Sequence, residues 1–177
     1  MSSRSESTRG GDDVEDALRP GLVWGLKRSF ISYVSRLPDF AHAETDGASL
    51  VRSSRFHFDG AEGSTYDAAT GHGVLTFRGD VRLAGHGRLL YVMIADPWVE
   101  FGPERAVLSV VDIEHWPDRT KRMPLATLQT VGAPRTTATT RVWDEVRTFL
   151  APEGQWVFND QYPVGTELDP LTITVPQ

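Results

Sequence analysis

Residues 74–95 read Val-Leu-Thr-Phe-Arg-Gly-Asp-Val-Arg-Leu-Ala-Gly-His-Gly-Arg-Leu-Leu-Tyr-Val-Met-Ile-Ala. Within this stretch Val74–Leu83 alternates. Leu75, Phe77, Val81 and Leu83 share one face, and Thr76, Arg78, Asp80 and Arg82 share the other. Successive side chains of a strand point to opposite faces, so a period of two predicts one long strand with one face buried. Gly85-His86-Gly87 interrupts it, and the nearly continuous apolar run Leu89–Ala95 reads as a second strand.

The same reading extends downstream. Asp96-Pro97 is a turn, Trp98–Phe101 a short strand and Gly102-Pro103 another turn. Ala106–Ile113 is apolar on both faces and predicts a central strand. A polar loop at Pro117–Lys121 is followed by a strand at Leu125–Val131. Arg135–Thr140 reads as an edge strand or a loop, and Val142–Leu150 as a strand or a helix. Pro152-Glu153-Gly154 predicts a turn, Gln155–Gln161 a short helix, and Leu171–Val175 a last strand. Upstream, Ser54–Phe58 alternates, with Phe56 and Phe58 opposite His57, and Gly60–Gly73 is rich in turn residues. Many short strands at such spacing predict a mainly β fold, a sandwich or barrel of antiparallel sheets.

One N-terminal helix is expected within that β frame. Leu22, Leu26, Phe30, Ile31 and Val34 recur at helical spacing after Arg19-Pro20-Gly21, and Pro38 marks the latest end. Ser29 and Tyr33 then lie on one face. Tyr33 by itself reads first as a core aromatic with its hydroxyl satisfied.

Composition removes whole classes of function. The chain has 177 residues and no cysteine, which excludes disulfide scaffolds, thiolate nucleophiles, iron–sulfur clusters and cysteine zinc sites. Eighteen Lys and Arg against 24 Asp and Glu give a net charge of −6, and the pI near 5.3 argues against a general nucleic-acid binder. No run approaches the ~18 apolar residues of a membrane span. Residues 1–20 are polar and acidic, which predicts a disordered leader before a single domain at 21–177. Leu22–Val34 followed by Ala41-His42-Ala43 mimics a secretory signal. Lys27 and Arg28 break its apolar core, however, and the preceding segment has the wrong charge, so a cytoplasmic location is expected.

The common catalytic motifs are missing. There is no GxGxxG opening a helix, no GxxxxGK[ST], no HExxH and no GxSxG. The five histidines, at 42, 57, 72, 86 and 115, form no pair at i+2 or i+4. Gly85-His86-Gly87 is the sharpest local feature. It reads as a tight bend with an incidental histidine, or as a backbone that a flat ligand can approach closely. Gly71-His72-Gly73 repeats the pattern, so the tripeptide alone decides little.

Leu22-Val23-Trp24-Gly25-Leu26-Lys27-Arg28-Ser29-Phe30-Ile31-Ser32-Tyr33-Val34 resembles the opening of the HtaA domain, the haem-binding module of actinobacterial haem-uptake proteins. Phe56-His57-Phe58 looks like its aromatic strand, Leu75 to Leu89 like its Gly-His core, and Ala95-Asp96-Pro97-Trp98-Val99 like its Asp-Pro turn. Tyr162-Pro163-Val164-Gly165-Thr166-Glu167-Leu168-Asp169-Pro170-Leu171 resembles its tail. The family places a glycine one residue later after the histidine. Here Gly87 directly follows His86, and Arg88 takes the family position. Members of the family are usually exported or anchored.

The resemblance implies one ferric b-type haem, with Tyr33 as its axial iron ligand, His86 hydrogen-bonded to Tyr33, and Ser29 at a propionate. Phe158, in the expected C-terminal helix, would pack on the macrocycle. Gly85 and Gly87 would let the porphyrin approach, and Arg88, with Arg78 and Arg82, would pair with propionates or simply be solvated. His57 and His72 are distal candidates or turn residues. A free phenol has a pKa of ~10 and ligates iron as phenolate; a hard anionic oxygen favours ferric iron, and a histidine donating to it tunes its basicity. The implied role is haem capture, buffering or transfer, with a haem donor or acceptor protein as partner. The alternatives are an intracellular haem-dependent enzyme acting on a small molecule at the open distal position, and a sandwich that binds another flat ligand or a protein.

Overall fold

In the computed structural model, which describes residues 19–129 and 133–177, the alternation of residues 74–95 folds as three strands in two sheets. The break is Gly79, at φ 146°, where an added Cβ would meet the Ala48 nitrogen at 2.7 Å. Asp96 grips this point from the next turn: its side chain accepts from the Gly79 N–H at 3.0 Å, and its own N–H donates to the Gly79 carbonyl at 2.8 Å. The predicted single strand Val74–Leu83 is thus corrected to Gly73–Arg78 (β5) and Asp80–Gly85 (β6), followed by Leu90–Ala95 (β7).

The larger sheet closes on itself. Its strands are Gly21–Trp24 (β1), Arg55–Gly60 (β4), β5, Trp98–Phe101 (β8), Ala106–Val111 (β9), Arg122–Gln129 (β10), Thr140–Leu150 (β12) and Glu167–Pro176 (β13). Their order is β1-β13-β12-β10-β9-β8-β5-β4, and β4 also pairs with β1, so the ring is complete. Ala48–Val51 (β3) lies on β4, and Arg135–Thr136 (β11) lies on β12 as an edge. A second antiparallel sheet joins Ala41–Thr45 (β2), β6 and β7. Closure removes the edges that an open sheet would leave unpaired.

One apolar core joins both sheets. Leu22, Trp24 and Phe58 from the ring meet Val81, Leu83, Val92 and Ile94 from the second sheet, all essentially buried. The mainly β antiparallel class read from the sequence holds. Val142–Leu150 resolves as a strand, and the strand expected at Leu125–Val131 runs from Arg122 to Gln129, with Val131 outside the described residues.

Three further expectations change. The helix expected from Leu22 is α1, Arg28–Val34, only seven residues long. Leu22 and Trp24 instead point inward from β1, and Leu26 reverses the chain at φ 58°. The helix expected at Gln155–Gln161 is a 3-10 helix at Pro152–Phe158, which absorbs the turn predicted at Pro152–Gly154. The leader expected at 1–20 lies outside the described residues except for its last two. Arg19 donates to Asp59 at 2.8 Å, and the Pro20 carbonyl is 3.1 Å from His57 Nε2. Among the described residues no helix is long and apolar enough to cross a membrane.

Candidate functional site

The helix that carries Tyr33 is anchored from the far end of the chain. Lys27 offers no side-chain cap. Instead, Asp169 Oδ1 accepts from the Arg28 N–H at 2.9 Å, and the Asp169 N–H donates to the Leu26 carbonyl at 2.9 Å. The Trp24 indole N–H donates to the Asp169 carbonyl at 2.8 Å. A Cβ on Gly25 would stand 2.7 Å from the Asp169 carboxylate, which is why glycine follows the tryptophan. A carboxylate at the first turn satisfies an orphan N–H and favours the positive end of the helix.

The short helix is amphipathic. Phe30 and Val34 are buried, and Phe30 meets Phe158 edge to face, centroids 5.4 Å apart. Tyr33 faces outward and is 52% exposed. Ser29, one turn earlier, is also exposed.

His86 arrives from the second sheet. β6 ends at buried Gly85, where a Cβ would lie 2.5 Å from Leu37 Cδ1, just beyond α1. The absent side chain therefore lets the end of β6 rest on the end of the helix. His86, Gly87 and Arg88 follow with φ of 51°, 62° and 70°, a left-handed turn closed by the Leu89 N–H on the His86 carbonyl at 3.1 Å. Asp39 holds this turn. Its two oxygens accept the N–H groups of His86 at 3.1 Å and Gly87 at 2.6 Å. Chiefly because of the Gly87 N–H, the Asp39 carboxyl lies below its ordinary pKa.

Tyr33 Oη and His86 Nε2 are thereby 2.6 Å apart, with ring centroids 6.0 Å apart. A phenol and an imidazole in so short a contact at the surface form a hard oxygen donor with a base beside it, able to accept the phenolic proton. Among the described residues no group of three or more His, Asp or Glu could hold a metal ion.

The other expected residues lie as follows. Arg88 is exposed beside His86 and makes no ion pair with a described residue. Phe158 is fully buried, packed with Phe30 and Tyr162; the exposed aromatic of its 3-10 helix is Trp156. Arg82 is engaged by Asp80 at 2.8 Å and stacks on Trp116, and Arg78 lies 3.6 Å from Asp59. His57 is buried beneath Pro20, and exposed His72 bridges Asp67. Neither joins the Tyr33–His86 contact. The sequence reading missed Asp39 and Leu37. Pro38-Asp39 gives only a turn signal, and the groups these side chains meet are distant in sequence.

Comparison with known proteins bears on this arrangement. The model of the Htaa family matches residues 20–174. The C-terminal domain of HtaA from Corynebacterium glutamicum is similar in structure, with TM-score 0.66 and 24% identity over 88% of this chain and 94% of that one. The N-terminal domain of the same protein gives TM-score 0.68 and 23% identity over 89% and 97%. The haem-binding protein HtaB from that organism gives 0.60 and 19% over 88% and 92%. These likenesses establish a common fold. No curated protein matches the chain.

Proposed function

The chain belongs to the HtaA family, and from that premise we propose that it binds one ferric b-type haem, with Tyr33 as the axial oxygen donor. The observation that carries this reading is the 2.6 Å contact between Tyr33 Oη and His86 Nε2 on an exposed face. The similar protein HtaB is a haem-binding protein. The donor set also suits the ligand: a hard anionic oxygen, with no sulfur anywhere in the chain except its three methionines.

When bound, the haem supplies a Lewis-acidic ferric centre. Tyr33 must shed its phenolic proton to serve it. His86, as the tautomer with Nε2 unprotonated, accepts that proton across the short contact and then donates back to the phenolate oxygen. One proton moves, from Tyr33 Oη to His86 Nε2, and it stays on Nε2 while that N–H hydrogen-bonds to the phenolate oxygen. Ser29, one turn before Tyr33, and Arg88, two residues after His86, are both exposed, a hydroxyl and a guanidinium suited to carboxylate groups. The exposure of Tyr33 suits a role in capture and transfer, in which haem enters and leaves at the surface. A hard phenolate holds ferric iron better than ferrous, so reduction favours release.

Haemin titration into the wild type, Tyr33→Phe and His86→Ala tests the reading by visible spectra. The wild type should take up one equivalent. Tyr33→Phe should lose the ferric tyrosinate spectrum, and His86→Ala should retain a weaker, shifted form. A Tyr33→Phe protein with wild-type spectrum and affinity would overturn the ligand assignment.

A further inference from the structure

We propose that Asp39 is the positioning residue of this site, holding the His86 turn so that Nε2 meets Tyr33. This rests on the reading of Tyr33 and His86 given above. The turn needs an external hold: it places His86 and Arg88 at φ 51° and 70°, a left-handed conformation that side chains other than glycine rarely adopt. Its internal bond, Leu89 N–H to the His86 carbonyl, closes the turn but does not fix where it points. Asp39 does both, because its two oxygens take successive N–H groups, at 3.1 and 2.6 Å.

The placement of Asp39 explains why it can serve. It lies on the segment that leaves the Tyr33 helix and joins β2, which pairs with β6 from Ala41↔Ala84 to Thr45↔Asp80. Leu37 and Phe40 turn this segment through bonds to the Val34 and Leu37 carbonyls, and Leu37 fills the space left by Gly85. Asp39 thus ties the end of one site-bearing element to the end of the other. Asp39 meets the backbone N–H groups of His86 and Gly87 and touches neither ring, so it acts through the backbone.

Two measurements test this on the whole chain. By NMR of the ligand-free protein, Asp39→Ala should weaken the Tyr33–His86 ring contacts. It should also speed exchange of the His86 and Gly87 amides by about tenfold, the loss expected for a charge-assisted bond, while β9 amides stay protected. Unchanged ring contacts and exchange would overturn the proposal. In the second measurement, haemin affinity is compared for the wild type, Asp39→Ala, His86→Ala and the double variant. Asp39→Ala should weaken binding by about tenfold in the native background and less than about twofold when His86 is already gone. Equal losses in both backgrounds would overturn it. If the wild type takes up no haemin, the haem reading fails, and the NMR measurement alone decides the role of Asp39.

Discussion

Gly85 and Leu37 occupy each other's space: a Cβ on Gly85 would lie 2.5 Å from Leu37 Cδ1. Gly85 is extended, at φ −169°, so its role here is room rather than backbone freedom. Gly85→Ala should force the Leu37 side chain or the end of β6 aside, at a cost of about 1–3 kcal/mol in urea unfolding. The same shift should move His86 away from Tyr33 and weaken haemin uptake. Gly87→Ala meets no neighbouring atom within 4 Å but keeps φ 62°. It should cost about 1 kcal/mol from backbone strain. Equal stability of Gly85→Ala and wild type would refute the packing argument.

Removing the Asp169 carboxylate isolates the cap on α1, because the backbone bonds of Asp169 to Leu26 and Trp24 remain. Asp169→Ala should cost about 1 kcal/mol, the usual value of an N-terminal cap, and Asp169→Asn should recover most of it. Chemical denaturation measures both. Haemin affinity should fall in parallel, since the frayed turn holds Ser29 and lies one turn before Tyr33.

Phe158 is fully buried against Phe30, whereas Trp156 on the same 3-10 helix is 40% exposed. Phe158→Ala should therefore cost about 3–5 kcal/mol of stability, and Trp156→Ala less than about 0.5 kcal/mol. Thermal unfolding of the two variants separates them. A small stability loss with a large affinity loss in Phe158→Ala would place that ring on the ligand instead of in the core.

Three carboxyls lie below their ordinary values: Asp39 through the Gly87 N–H, Asp118 through Thr120 and Glu167 through Arg147. A carboxyl with a depressed folded value contributes stability that is complete above its unfolded value. Those unfolded values are 3.8 for the aspartates and 4.5 for Glu167, and each contribution is lost as pH falls through the lower folded value. Urea midpoints should hold steady above about pH 5 and fall on acidification below about pH 4. In Asp39→Asn the acid limb should be shallower. The Glu167 share should also shrink with added salt, because its partner Arg147 is exposed.

The strands were legible where one face is buried, because Leu75, Phe77, Val81 and Leu83 each fall on a period of two. β2 was not, because its residues are mostly exposed and carry no alternation. Leu22, Leu26 and Phe30 misled for a different reason. Their spacing of four is real and all three are buried, yet they belong to a strand, a reversal and a helix. Only long-range pairing of β1 with β13 and β4 decides this, and no local window contains it. Likewise, the predicted strand Val74–Leu83 runs straight through Gly79, because nothing nearby in sequence shows that the chain changes sheets there.

The site divides the same way. Tyr33 and His86 are 53 residues apart, so no spacing rule links them; they entered through a family resemblance that spans most of the chain. Asp39 had no such route. What it binds is backbone, and the N–H of His86 or Gly87 leaves no trace in residue type.

The bond between Arg28 and Asp169 spans 141 residues. Synthesis makes the helix that carries Tyr33 first and reaches its partner Asp169 only 141 residues later. At about 5–20 residues per second, the gap is roughly 7 to 28 seconds. Throughout that interval β1 lacks β13, the helix lacks its cap, and the ring of strands stands open. Tyr33 is therefore made well before it can be set in place, and its surroundings mature only once Asp169 and β13 have been added.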